Sequence, residues 1–266
     1  MPVIDKYNRR VEKINSLLCV GLDSDFEKLP EEFKKLENPQ FEFNKKIIEE
    51  TNEFAASFKL NIAFYEGRGQ KGIEELKMTM DYFRSNFPDI FLICDSKRGD
   101  IGNTNRGYIS FILDWLGFDA MTVSPYLGGE SLQPFFERED KGIIILAKTS
   151  NPGSGEFQDL EINGRPIWKI VAEKAANEWN KKENLLLVAG ATYPEQMAEI
   201  RKITGEMTFL VPGIGAQGGD VEATVKAGIN DGKKGLIINS SRGIIFSSNP
   251  REEAKKLRAE VNKFRI

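Results

Sequence analysis

The stretch "LLCVGLDSDFEKLP", residues 17–30, decides between two folds. It opens as a short apolar run, and runs of that kind recur down the chain with helical patterns between them. Strands joined by helices of this length imply a parallel sheet with right-handed crossovers. A doubly wound open sheet would usually follow its first strand with a Gly-rich phosphate-binding fingerprint, and "GLDSDFEKLP" is not one. Eight strand-plus-helix units then close most simply into a single (β/α)8 barrel, for which 266 residues is an ordinary length.

The later strand-like runs are "ASFKLNIAF" (56–64), "IFLICDSK" (90–97), "AMTVSP" (120–125), "GIIILAKTS" (142–150), "LLLVAGAT" (185–192), "TFLVPGIG" (208–215) and "GLIINSSRG" (235–243). Apolar residues at helical spacing fill the intervals, as in "GIEELKMTMDYFRSNF", "NRGYISFILDWLG" and "PIWKIVAEKAANEWNKK". Segment 2–16 reads as an extra N-terminal helix, placed to cover the bottom of the barrel. Two connections are long, 24–40 and 151–165, and long loops at strand C-termini are where barrel enzymes build their sites. With no linker in view, residues 1–266 read as one barrel domain.

Composition removes several chemistries. Lys plus Arg number 37 and Asp plus Glu 40, a net charge of −3, which argues against a nucleic-acid binder but leaves room for a local basic pocket. There is no histidine, so His triads, His bases and His metal ligands are excluded, and acid–base work falls to Lys, Asp, Glu, Tyr or Cys. Cys19 and Cys94 sit inside apolar runs and read as buried, inert thiols that fit a reducing cytoplasm. No signal peptide opens the chain, and no apolar run approaches the roughly 20 residues a membrane helix needs, so a cytoplasmic protein is expected.

In a barrel the informative polar residues are those where strands end. Asp23 ends the first strand, and Lys59 interrupts the apolar second. Asp95 and Lys97 end the third, two apart and hence on one strand face, with Asp100 and Thr104 beyond. Lys148, Thr149 and Ser150 end the fifth. A solvated loop could produce D-x-K-x-x-D by itself, and Asp23 could simply cap a turn. A lysine inside a buried strand is costly unless paired, or else it points outward between helices. Gly213, Gly215, Gly218 and Gly219 after the seventh strand free backbone N–H groups for an anion. Arg242 after the eighth offers a charge-assisted fork, with Gln217 placed to reach over. The bland alternative is tight turns and an Arg242–carboxylate pair.

Taken together, "GLDSD", "SFKLNIAFYE", "DSKRGDIGNT", "KTSNPG", "VPGIGAQGGD" and "NSSRG" resemble the orotidine 5′-phosphate decarboxylases, from about residue 16 to 248. The Lys-Arg-Gly form of the third-strand motif and the longer early loop resemble the second bacterial subfamily. The resemblance implies a TIM barrel that converts orotidine 5′-monophosphate to UMP and CO2, the last step of de novo UMP synthesis, with neither cofactor nor metal. It implies that Lys59, Asp95, Lys97 and Asp100 form the charged catalytic network, with Lys97 the proton donor. Asp23 would bond the ribose, Ser150 would read the pyrimidine edge, and Gln217, Arg242 and Gly243 would hold the phosphate. Asp100 and Thr104 would reach into the neighbouring subunit's site, making a homodimer with shared active sites. The role of "VSPYLGGES" (123–131) is undefined at this level.

The chemistry agrees with that assignment. Loss of CO2 from C6 leaves a carbanion without a conventional electron sink, so fixed charges must stabilise it and a proton must be delivered. Flanking carboxylates favour the ammonium form of Lys97. Whether Asp95 destabilises the substrate carboxylate or orders the lysines stays open. Two rivals share the barrel. Sugar-phosphate decarboxylases of the same superfamily, such as those acting on 3-keto-gulonate 6-phosphate, carry the same third-strand motif but use Mg2+, held by a second-strand carboxylate where this chain has Lys59. An inactive nucleotide-binding barrel would be expected to lack Lys97 or Asp95, and both are present.

Overall fold

The computed structural model describes residues 3–214 and 218–265. Eight parallel strands close into a barrel: β1 Leu18–Gly21, β2 Ser57–Asn61, β3 Phe91–Arg98, β4 Ala120–Val123, β5 Gly142–Lys148, β6 Leu185–Ala189, β7 Phe209–Val211 and β8 Leu236–Ser240. Each pairs with its sequence neighbours, and β1 pairs with β8, Cys19 lying opposite Asn239. The strands are apolar runs rather than alternating ones because helices cover their outer faces while side chains fill the interior. Phe91, Leu92, Ile93 and Cys94 are all buried, as are Gly142 to Ile145.

The crossovers include helices Pro39–Thr51, Gly69–Asn86, Pro194–Thr204, Val221–Gly228 and Pro250–Lys263. Three of these begin with proline in the first turn, where a missing N–H costs nothing. The third and fifth crossovers change pitch: Gly102–Tyr108 continues as π-helical Ile109–Leu116, and Ile167–Lys174 as π-helical Ala175–Trp179. After β4 comes a short helix, Gly129–Phe136, whose first three residues belong to the stretch 123–131 of undefined role.

The N-terminal helix Ile4–Ile14 lies across the strand starts. Tyr7 Oη donates to the carbonyl of Leu236 at 2.5 Å, and Lys6 pairs with Asp119, just before β4, at 2.7 Å. Both long connections contain structure of their own. Segment 24–38 holds two short helical turns, Phe26–Lys28 and Glu31–Lys34. Segment 151–166 holds the turns Pro152–Ser154 and Gly155–Gln158 and a hairpin pairing Glu161–Ile162 with Arg165–Pro166. No described helix is long and apolar enough to cross a membrane.

Candidate active site

The C-terminal ends of the strands surround a cavity of about 500 Å3. Along one wall runs a row of alternating charges. Lys59, buried in β2, donates to Asp23 Oδ1 at 3.0 Å and lies 3.5 Å from Asp95 Oδ2. Lys97 Nζ donates to Asp95 Oδ1 at 2.7 Å. The row therefore reads Asp23, Lys59, Asp95, Lys97, and all four line the cavity. Its two inner members, Lys59 and Asp95, are held charged by their neighbours. Burial alone would push the Lys59 ammonium down, but the carboxylates of Asp23 and Asp95 outweigh it and hold it above the ordinary lysine value. Burial would likewise raise Asp95, yet Lys59, Lys97 and the hydrogen bonds from Lys97 and Thr122 keep its carboxyl below the usual range. The outward-facing alternative for Lys59 and the simple cap for Asp23 are thereby set aside.

Lys97 reaches this row through an irregular strand. Between Cys94 and Arg98 the register advances four residues on β3 against two on β4, Met121 to Val123. Such a bulge re-aims side chains. Lys97 takes the left-handed conformation, φ 46°, unusual for a residue with a side chain. Asp95 and Lys97 do share the cavity, but a bulge rather than strand alternation puts them there.

The other expected residues divide into four groups. Ser150 and Arg242 line the cavity. Ser150 can sit there because β6 is followed by Gly190, whose Cβ, had it one, would lie 2.9 Å from the Ser150 backbone. Arg242 is exposed at the rim and its side chain makes no ion pair or hydrogen bond among the described residues, so the carboxylate-paired alternative is not realised. Gly213, with φ 103°, lines the same side. Gly243 faces an adjoining cleft with Ile214 and Gly219. Asp100 and Thr104 stand apart from this chain's own cavity. The helix begins at Gly102, so Asp100 precedes it, its backbone N–H bonded to Asn105 Oδ1 at 3.0 Å, while Thr104 is exposed in its first turn. Gln217 and Gly215 lie outside the described residues.

Several lining residues were missed by the sequence reading: Asn61, Thr122, Gln158, Asn239 and Ser241. Asn239 is buried, and its side-chain oxygen has no partner among the described residues. A polar residue inside the run "LIINS" was the available signal for it. Gln158 comes from the long connection, which folds back so that its side chain accepts from Thr149 N at 3.0 Å and donates to Thr149 Oγ1 at 2.9 Å.

Comparison with known proteins gives one answer. A family model described as "Orotidine 5'-phosphate decarboxylase / HUMPS family" matches residues 16–257. An orotidine 5′-phosphate decarboxylase of Cellvibrio japonicus is 44% identical over 261 residues, covering 97% of this chain and 95% of that protein. One from Flavobacterium johnsoniae is 47% identical over 248 residues, covering 93% and 90%. Among solved structures, Leishmania donovani OMP decarboxylase superposes with a TM-score of 0.89 at 38% identity, covering 100% of this chain and 99% of that one. Sequence, barrel and site agree across nearly the whole length, and the chain belongs to the orotidine 5′-phosphate decarboxylase / HUMPS family.

Proposed function

We propose that this chain decarboxylates orotidine 5′-monophosphate to UMP and CO2. The observation that carries this reading is the unbroken row Asp23–Lys59–Asp95–Lys97 on the wall of one cavity, with Arg242 at its rim unpaired among the described residues. The C6–carboxyl bond breaks, CO2 departs, and its electron pair stays on C6. Lys97 stabilises that carbanion and then gives it a proton from its ammonium group, forming the C6–H bond of UMP; solvent reprotonates the amine. Preorganised charges suit this step because they need no rearrangement as the carbanion forms. Asp95, held ionised between two lysines, keeps both cations in place. Arg242, joined by Gln217 and Gly243, holds the phosphate, whose binding free energy is spent at the distant reacting carbon. Asp23 takes the ribose hydroxyls and Ser150 the pyrimidine edge.

The same reading makes the protein a cytoplasmic homodimer with shared sites. Its support is that Asp100 and Thr104 stand outside their own cavity, in a surface with large exposed apolar residues. Ile101 lies between them, and Tyr126, 86% exposed, and Leu127 follow β4. The two segments are tied together where Asn105 Nδ2 donates to Ser131 O at 2.6 Å.

The direct test is spectrophotometric: orotidine 5′-monophosphate should lose its near-UV band when purified protein is added, and an unchanged spectrum would defeat the reading. Dialysis against EDTA should leave that rate unaltered. Activity lost to EDTA and restored by Mg2+ would favour metal-stabilised enediolate chemistry instead.

A further inference from the structure

Thr122 is an ordinary residue in the middle of β4, 1% exposed, yet its hydroxyl has three partners, all in the bulged end of β3. Thr122 Oγ1 accepts from the backbone N–H of Ser96 at 2.9 Å and from that of Lys97 at 2.9 Å. It donates to Asp95 Oδ1 at 3.0 Å. A hydroxyl has two acceptor sites and one proton. Two backbone N–H groups can only donate, so the proton must point at the carboxylate. The hydroxyl is fully used, and each bond falls on a residue at or next to the charged row.

Two consecutive N–H groups converging on one acceptor is a geometry that regular strands do not offer, because successive N–H groups there point to opposite sides. The left-handed turn at Lys97, φ 46°, makes it available. Such a conformation persists at a non-glycine residue only where its surroundings hold it. Here the Thr122 hydroxyl holds the Lys97 N–H, and Ser96 Oγ locks the same junction from the other strand by donating to Thr122 O at 3.0 Å.

We propose that Thr122 is the positioning residue of the reaction: it holds the β3 bulge that aims Lys97 into the cavity and orients the Asp95 carboxylate that Lys97 pairs with. This rests on the reading that Lys97 and Asp95 perform the chemistry. Misplacing a reacting group by about 1 Å costs on the order of a hundredfold in rate, so the effect falls on kcat rather than on binding.

The test is a series at one position on the active enzyme. Thr122→Val keeps shape and removes the hydroxyl; Thr122→Ser keeps the hydroxyl and removes the methyl. Thr122→Ala leaves room for water beside the two N–H groups and replaces the valine variant should that one not fold. Kinetics with orotidine 5′-monophosphate are read beside the Kd for UMP, which needs no proton transfer. Thr122→Val or Thr122→Ala should lose roughly ten- to a hundredfold in kcat, with UMP affinity within about threefold, and Thr122→Ser should recover kcat to within about threefold. Three results would overturn the proposal: kcat of the hydroxyl-free variants within threefold of wild type, equal losses in Thr122→Ser, or UMP affinity falling in step with kcat. Wild-type protein that fails to decarboxylate would overturn the functional reading, and this proposal with it; active wild type with indifferent variants overturns this proposal alone.

Discussion

Half of the Lys97 side chain is exposed, and the ion pair it makes is with Asp95, whereas Lys59 is buried between two carboxylates. Without Lys97 the largely buried Asp95 still has the Lys59 ammonium at 3.5 Å and the Thr122 hydroxyl at 3.0 Å, so its carboxylate is not left stranded. Lys97→Ala should therefore melt close to wild type while losing turnover, since no other side chain is assigned to deliver the proton. Single-turnover assays should find less than about a hundredth of wild-type activity, a positioned acid being worth about 10²–10⁴-fold; a higher residue would remove Lys97 from the proton-donor role. Arg242 makes the complementary case. With no side-chain partner among the described residues, Arg242→Ala should leave stability unchanged and cost several kcal/mol in kcat/KM for the phosphorylated substrate. For orotidine, which lacks the phosphate, the loss should be small, and equal losses would make Arg242 a structural residue. Both lysines and both carboxylates of the row were legible in the sequence because charge inside or at the end of an apolar run is costly and so conspicuous. Thr122 was not legible. Threonine is at home in any strand, and its role depends on a neighbouring strand's bulge that no local pattern announces.

The connection after β5 is held to the barrel by a charge that the chemistry does not use. Lys148, 1% exposed, meets Asp159 at 2.6 Å and lies over the Tyr193 ring at 4.3 Å. The contact folds segment 151–159 back so that Asn151 and Gln158 form part of the cavity wall. Removing one partner of a fully buried pair costs about 3–5 kcal/mol, but Asp159 is 46% exposed, so its truncation should cost less. Asp159→Ala strands the ammonium in the interior, whereas Lys148→Met leaves a carboxylate that water can reach. Denaturant titration should thus find Asp159→Ala about 1–3 kcal/mol less stable and Lys148→Met nearer wild type, with KM raised in the alanine variant. No loss of stability in either variant would mean that the loop is held by its Gln158–Thr149 bonds instead. At this scale the strands were readable because both faces are buried, which writes each one as an apolar run. Their ends were read too long: Pro212, Gly213 and Ile214 follow β7 as lining of the cavity rather than as strand, and residues 242–245 after β8 form a helical turn. The helix Gly129–Phe136 escaped notice because it follows Pro125 and Gly128 and contains Pro134, signals that ordinarily mark a loop.

Across the whole molecule, the chain's own cavity holds four of the charged residues assigned to the reaction or the ribose but not Asp100. If a second copy supplies it, Lys59 acts in its own subunit's pocket and Asp100 in the partner's. Lys59→Ala and Asp100→Asn homodimers should then both be nearly inactive, because every pocket in each carries one lesion. Unfolding the two variants together and refolding them gives about half mixed dimers, for a two-fold interface and random pairing. In a mixed dimer one pocket collects both lesions. The other takes Lys59 from the Asp100→Asn chain and Asp100 from the Lys59→Ala chain, so it is native. Half of the dimers with half of their pockets repaired gives about a quarter of wild-type activity. If Asp100 instead serves its own chain, every mixed-dimer pocket still carries one lesion and nothing is recovered. Native mass spectrometry separates that outcome from failed exchange: mixed dimers present in an inactive mixture would place Asp100 in its own subunit's chemistry, and the exposed Ile101, Tyr126 and Leu127 would need another explanation.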